Sequence, residues 1–303
     1  ANPTGLAFSQ DGKRLYVTNS GHNEVAVINA ATRKVIGDIP TGWYPTQVLA
    51  HDGKLSITSA KGLGAGPNNG PGHPNPTDPR DTAENQYSGS MIKGLLSTVS
   101  EPDAATLAKL TATVEKNNTA NDPARSSAVP NQIGTTSSKI KHVIYIVREN
   151  RTFDQELGSN GRGNADPSLN LFGEESAPNT RALARQFTTF DNFYADAEVS
   201  ANGWNWVSQA NSNPWSEEMW PSNYSGRGAP YPAENNDPES RAKEHDSYFW
   251  EHLSKNNISF RNYGFYTTLD KKGKAHGVDK KILDPNTDHD FIGWSLDCPD
   301  SAR

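Results

Sequence analysis

Two short phrases recur in the first sixty residues, and their spacing constrains the fold more than anything else in the chain. Pro3-Thr4 returns as Pro45-Thr46 and Asp11-Gly12 as Asp52-Gly53, offsets of 42 and 41 residues. A period of that length is one supersecondary unit. Residues 2–42 hold four β-prone runs, near residues 6–8, 15–18, 24–28 and 34–39, separated by turn signals at Asp11-Gly12, Ser20-Gly21 and Ala31-Thr32-Arg33. Four strands in about forty residues make one blade of a β-propeller. One blade cannot bury both of its faces alone, so a blade and part of the next predict a partial all-β propeller, not a closed one.

The wording of the repeat adds to its period. Tyr16-Val17-Thr18-Asn19, preceded by Asp11-Gly12-Lys13-Arg14-Leu15, resembles the motif of the YVTN family of β-propellers over residues 1–62. The chain starts at Ala1 without an initiator Met and is expected to begin inside a propeller. Residues 62–89 turn to Gly, Pro, Asn and Asp, the composition of a long surface loop. His73 within it has no partner at metal-ligand spacing and reads as solvated. Residues 91–98 are strand-like, Leu107, Leu110 and Val114 give residues 103–116 a helical period, and residues 117–138 read as a polar linker.

Beyond the linker the pattern changes. Val143, Ile144, Tyr145, Ile146 and Val147 are a continuous β-branched and aromatic run, as in a strand buried on both faces of a mainly parallel sheet. It leads straight into Arg148, Glu149, Asn150 and Arg151. Ligands in open α/β sheets collect beyond the carboxyl ends of strands, where Glu149 and Asn150 would meet a hard cation or a phosphoryl group. The plain alternative is a strand end followed by a solvated turn. Residues 149–154, Glu-Asn-Arg-Thr-Phe-Asp, resemble the opening motif of the phosphoesterase family of non-specific phospholipases C and acid phosphatase A, in the alkaline-phosphatase-like superfamily. Arg148 stands where that family has Met, and Gln155 where it has His. The resemblance implies that Glu149 and Asn150 bind a divalent metal ion at the phosphate site.

A second signal lies about fifty residues on. Residues 189–197 are rich in aromatics and read as another strand, after which Ser200, Ala201 and Asn202 open a helix through Gln209. A Ser at such a turn has its hydroxyl by the free N–H groups of a helix N-terminus, which favour an alkoxide and a bound phosphate. Ser is equally a preferred N-cap with no further role. The resemblance favours Ser200 as the nucleophile, since the relatives carry theirs in this turn.

Strands at residues 141–147, 189–197 and 258–263 alternating with helices at 179–186, 201–209 and 239–255 predict an α/β fold for residues 139–303: a mainly parallel sheet with helices on both faces, alkaline-phosphatase-like and partial. Trp215, Trp220, Tyr224 and Tyr231, in a long excursion, are expected to pack. His245 with Asp246 reads as the polar face of a helix. Asp288-His289-Asp290 is a weaker metal cluster, since the family's second ligand group lies later in its sequence.

Charge and hydropathy set outer bounds. A net charge of −6 and a pI near 5.8, with no basic stripe, argue against nucleic acid as partner. No apolar run approaches the ~20 residues of a membrane-spanning helix. Cys298 is the one cysteine, which excludes an internal disulfide. The low mean hydropathy of −0.77 suits loop-rich β structure. The expectation is a metal-dependent hydrolase of small-molecule or lipid phosphate esters, with Ser200 attacking phosphorus. Further ligands are expected beyond Arg303, and a secreted or periplasmic location follows from the resemblance alone. The alternative is a non-catalytic binding protein, in which the propeller recognises an unknown partner and the phosphoesterase-like part is a scaffold.

Overall fold

Both recurring Asp-Gly phrases reverse the chain through a left-handed glycine, with φ of 70° at Gly12 and 67° at Gly53. Glycine takes that conformation without the clash a Cβ would bring. His51 pairs with Lys54, so Asp52-Gly53 is a two-residue hairpin loop with both central residues left-handed. The computed structural model describes residues 2–64, 92–118, 140–193, 195–234, 248–291 and 293. They belong to two units, one of Ala1–Asn121 with Ala197–Arg303, the other of Asp122–Asp196.

In the first unit, β1 (Pro3–Phe8), β2 (Arg14–Asn19), β3 (Glu24–Asn29) and β4 (Lys34–Pro40) form an antiparallel meander in sequence order. β5 (Pro45–His51), β6 (Lys54–Ser59) and β7 (Leu95–Ser100) form a second. The repeat is structural as well as verbal. β1 and β5 both open on Pro-Thr, and both carry a register shift just after it, at Pro3/Gly5 and Pro45/Gln47. Thr4 Oγ1 donates to the Pro45 carbonyl at 2.9 Å, tying the two openings together.

The two sheets share one core of Tyr16, Val25, Val27, Ile39, Val48, Leu55 and Ile57, closed by Leu107 of α1 (Ala104–Asn117). Each such side chain contributes roughly 1.5–3 kcal/mol when fully buried. Asp103 starts α1 by accepting from the Thr106 N–H at 2.7 Å, and the helix covers β4. The approach is close because β4 has Gly37 at the contact: a Cβ there would lie 2.7 Å from Leu107 Cγ. Tyr16, buried, donates its hydroxyl to Glu101 at 2.9 Å, and burial together with that carboxylate pushes its pKa up to about 12.

The second unit contains α2 (Phe153–Leu157) and α3 (Pro178–Gln186). A polar side chain organises it. Arg181, buried, donates to Glu174 Oε1, Ser159 Oγ, Asn170 Oδ1 and the carbonyls of Glu156 and Phe172 over 3.0–3.4 Å. Glu174 also pairs with Arg185, and the two guanidiniums, Arg185 first, hold its carboxyl at about 2.

The rest of the first unit is helical and aromatic: α4 (Ser200–Gln209), α5 (Pro214–Tyr224) and α6 (Phe249–Lys255), then the hairpin β8 (Thr267–Leu269) and β9 (Ala275–Gly277). Tyr248 stacks on Trp250 at 4.4 Å, and with Tyr266 and Leu283 they form a core that Trp204 of α4 and Phe265 join. Trp220, Tyr224 and Tyr231 pack in a neighbouring cluster with Ala201, the packing role the sequence suggests.

The mainly parallel, alkaline-phosphatase-like sheet is not present among the described residues, where every sheet is antiparallel. Within the two meanders and the β8–β9 hairpin, short turns join most neighbouring strands, and such turns can only reverse direction; a parallel pair needs a crossover of a dozen or more residues. Residues 141–147 form no strand, and Val143 and Ile144 are 81% and 86% exposed; a β-branched run becomes a strand only by pairing with an edge, and none of the described sheets includes this one. Residues 189–193 and 195–197 are likewise irregular, and at 258–263 only the isolated bridge of Asn262 to Thr287 is parallel. The two meanders do not close into a propeller; closure needs about four blades or more. His73, His245, Asp246 and Cys298 lie outside the described residues, as do most of the 62–89 loop and the 117–138 linker.

Candidate functional site

The phosphoesterase-like motif begins α2. Thr152 Oγ1 accepts from the Gln155 N–H at 3.3 Å, and Gln155 Oε1 accepts from the Thr152 N–H at 3.1 Å. This is a reciprocal capping box, which satisfies two N–H groups that a helix start would otherwise leave unpaired. Gln155, at the position where the resembled family has His, therefore has a local task. The spacing Thr-x-x-Gln was in the sequence as a readable helix signal.

Glu149 and Asn150 precede that cap on an exposed, irregular segment. Arg148 turns away to Glu156 and to Thr180 Oγ1, and Arg151 donates to the Asn150 carbonyl. Glu149 has no ion-pair partner among the described residues, and desolvation by neighbouring atoms raises its pKa. One carboxylate and one amide fall short of the three or four protein donors of a zinc site or the six oxygens of a harder ion. No group of three His, Cys, Asp or Glu ligands gathers around Glu149 among the described residues. As described, these two residues do not fit a divalent cation.

Ser200 is the first residue of the ten-residue helix α4, with Val199 at the cap. The cap is closed from inside: the Val199 N–H donates to Asn202 Oδ1 at 3.1 Å, so Ser200 is not the capping side chain. Ser200 is partly exposed, and its hydroxyl makes no hydrogen bond among the described residues. The segment before it is irregular where a strand was expected. Glu149 and Asn150 belong to the unit Asp122–Asp196, whereas Ser200 belongs to the other.

Around Ser200 the structure assembles residues that the sequence did not single out. Asn202 Nδ2 donates to Glu198 Oε2 at 2.7 Å and to Glu217 Oε1 at 3.1 Å. Lys61 Nζ reaches the other oxygens of the same carboxylates, Glu198 Oε1 at 2.8 Å and Glu217 Oε2 at 2.7 Å. The side chains of Lys61, Glu198 and Glu217 are only 19%, 21% and 8% exposed, and Asn202 is fully buried. Burial alone would depress the Lys61 pKa, but Glu217 and Glu198 more than offset it and the net shift is upward. The ammonium also lies 5.3 Å from the centre of the Tyr44 ring, and burial raises the Tyr44 pKa, as do Glu217 and Glu218. This network fixes the residues two before and two after Ser200 to the end of β6. Only the i, i+4 pair Glu198 and Asn202 could have been found from sequence spacing.

The run Asp288-His289-Asp290 is divided among different partners. Asp288 pairs with Arg261 at 3.1 Å and Asp290 with Lys274, while His289 Nδ1 meets the Ala275 carbonyl at 2.6 Å. His289 thereby faces His276 of β9, the ring centres being 4.7 Å apart. His276 Nδ1 lies 3.2 Å from Asp284 Oδ1, and its Nε2 lies 3.6 Å from Asp270 Oδ2. His276, Asp284 and His289 together offer three ligand atoms within 4.8 Å of one another.

Among known protein families none matches this chain, and no curated protein matches it. No helix among the described residues is long and apolar enough to cross a membrane.

Proposed function

We propose that this chain is part of a phosphate-ester hydrolase in which Ser200 is the nucleophile. The observation that carries the reading is the state of Ser200: at the first position of α4, partly exposed and with no partner for its hydroxyl among the described residues, because Asn202 closes the cap in its stead. The likeness of Glu149, Asn150, Arg151, Thr152, Phe153 and Asp154 to the phosphoesterase motif supports it, as does the shielded anchoring of Glu198 and Asn202 on either side of the serine.

In this reading Ser200 Oγ gives its proton to water and forms a bond to phosphorus as the bond to the ester oxygen breaks, and the departing alkoxide takes up a proton from water to leave as the alcohol. Water then attacks the phosphoserine, releasing phosphate and restoring the hydroxyl. The α4 N-terminus, with its partial positive charge, favours the anionic phosphoryl group beside Oγ. Lys61 and Glu217 act by holding the helix start, since their charges are spent on each other. Substrates are phosphate esters of small molecules or lipids, and an exported protein suits that chemistry.

The test is to trap the intermediate. The protein is mixed with p-nitrophenyl phosphate in the presence of divalent metal, quenched in acid and digested, and the peptide holding Ser200 is examined for phosphoserine. Label on Ser200, lost in Ser200→Ala with secondary structure and melting temperature retained, is the expected result. Turnover unchanged in Ser200→Ala would refute the nucleophile. No turnover and no label would favour the non-catalytic binding reading instead.

A further inference from the structure

We infer that His276, Asp284 and His289 form a binding site for a transition-metal ion of the zinc class, separate from the motif at Glu149 and independent of the role given to Ser200. Three features of the geometry point the same way. The first is the donor set, two imidazoles and one carboxylate, which suits a borderline ion such as zinc or cobalt and is poor for magnesium or calcium.

The second is spacing. Two ligands about 2.0–2.1 Å from a tetrahedral ion stand about 3.3–3.4 Å apart. His276 Nδ1 and Asp284 Oδ1 are 3.2 Å apart, so that edge is already formed. The whole set spans up to 4.8 Å. The His289 side therefore has to close by about 1–1.5 Å to meet a shared ion. It can do so, since His289 is exposed and carried on a loop.

The third feature is the surrounding support, which a chance meeting of three side chains does not require. A ligating histidine is oriented by a carbonyl or carboxylate on its other ring nitrogen. Ala275 O takes that place for His289 at Nδ1, leaving Nε2 to bind, and the Asp270 carboxylate faces His276 Nε2 at 3.6 Å, an ion-pair distance rather than a hydrogen bond. Asp270 is itself fixed, its Oδ1 accepting from the Lys272 and Lys274 N–H groups at 2.8 and 2.9 Å. Asp284 Oδ1 is steadied by the Gly277 N–H at 2.8 Å. Each ligand thus comes from a different place, β9, the turn at Asp284–Asn286 and the loop after it, and an ion would clasp the hairpin to that loop.

The test titrates the metal-free protein with Co(II), reading the visible absorption of the bound ion, and then displaces it with Zn(II). The expected result is one equivalent bound with the intense bands of a low-coordinate site, zinc displacing cobalt, and no displacement by a large excess of magnesium or calcium. His289→Ala, a change at an exposed position, abolishes the spectrum. Asp270→Asn weakens binding by about 10–100-fold while keeping its stoichiometry. Glu149→Ala leaves binding unchanged, which separates this site from the motif. Absence of binding to the folded protein, or a spectrum that survives both His289→Ala and His289→Gln, would overturn the assignment. Should His276→Ala unfold, the His289 variants decide alone.

Discussion

Replacing Lys61 by Met tests whether the network beneath Ser200 holds the first unit together. The ammonium neutralises two carboxylates at 2.7 and 2.8 Å in a setting where none of the three charged side chains is more than about a fifth exposed. Met keeps the stem and its packing but leaves Glu198 and Glu217 sharing the single Asn202 amide. Removing one partner of a buried ion pair costs about 3–5 kcal/mol, and partial exposure places this case at the lower end. Losing the contact with the Tyr44 ring adds about 0.5–1 kcal/mol, for a total near 3–4 kcal/mol.

Guanidinium unfolding followed by tryptophan fluorescence is the assay, because all seven tryptophans belong to the unit that contains Lys61. Adding Glu217→Gln to Lys61→Met should recover part of the loss, since it removes a carboxylate that no longer has its cation. pH gives a second arm. A lysine whose folded pKa lies above its ordinary 10.5 contributes stability that is complete below that value and fades as pH rises through the folded one. The wild type should therefore weaken at alkaline pH more than the Met variant. A loss below about 1 kcal/mol in Lys61→Met, as for an exposed pair, together with parallel pH curves, would refute the reasoning.

Two further outcomes are expected from the frame around the site. Gly37→Val should destabilise the sheet and α1 together by roughly 1–3 kcal/mol, because its Cβ would meet Thr111 Oγ1 at 2.6 Å and Leu107 Cγ at 2.7 Å; the same unfolding assay reads it, and an unchanged midpoint would mean the helix does not rest there. In the second unit, Glu174 has a folded pKa near 2, below its ordinary 4.5, so its contribution is present above about pH 4.5 and disappears as pH falls towards 2. Protection of the α3 amides relative to their intrinsic exchange rates should fall across that window, and Glu174→Gln should flatten the dependence.

Some elements were legible because their causes are local. The Asp-Gly turns, the four runs of the first meander, the helical period of α1 and the start of α4 at Ser200 follow from backbone preference and side-chain period, which a sequence carries in full. Thr152 and Gln155 are equally local: their Thr-x-x-Gln spacing is that of a capping box, set within the same motif as Glu149. Residues 141–147 mark the limit of such reading. A β-branched run states a preference for extended backbone, but a strand exists only where another edge supplies its hydrogen bonds, and that edge is a tertiary matter.

The same division runs through the sites. Sequence alone determined that a serine would open a helix, and that Glu149, Asn150 and His289 would sit among polar neighbours. Tertiary structure alone decided which charges meet: Lys61 with Glu198 and Glu217, more than a hundred residues away along the chain, and His289 with His276 and Asp284 rather than with the aspartates beside it. Attraction between charges depends on distance through space and on exclusion of water, and neither quantity is written in residue order.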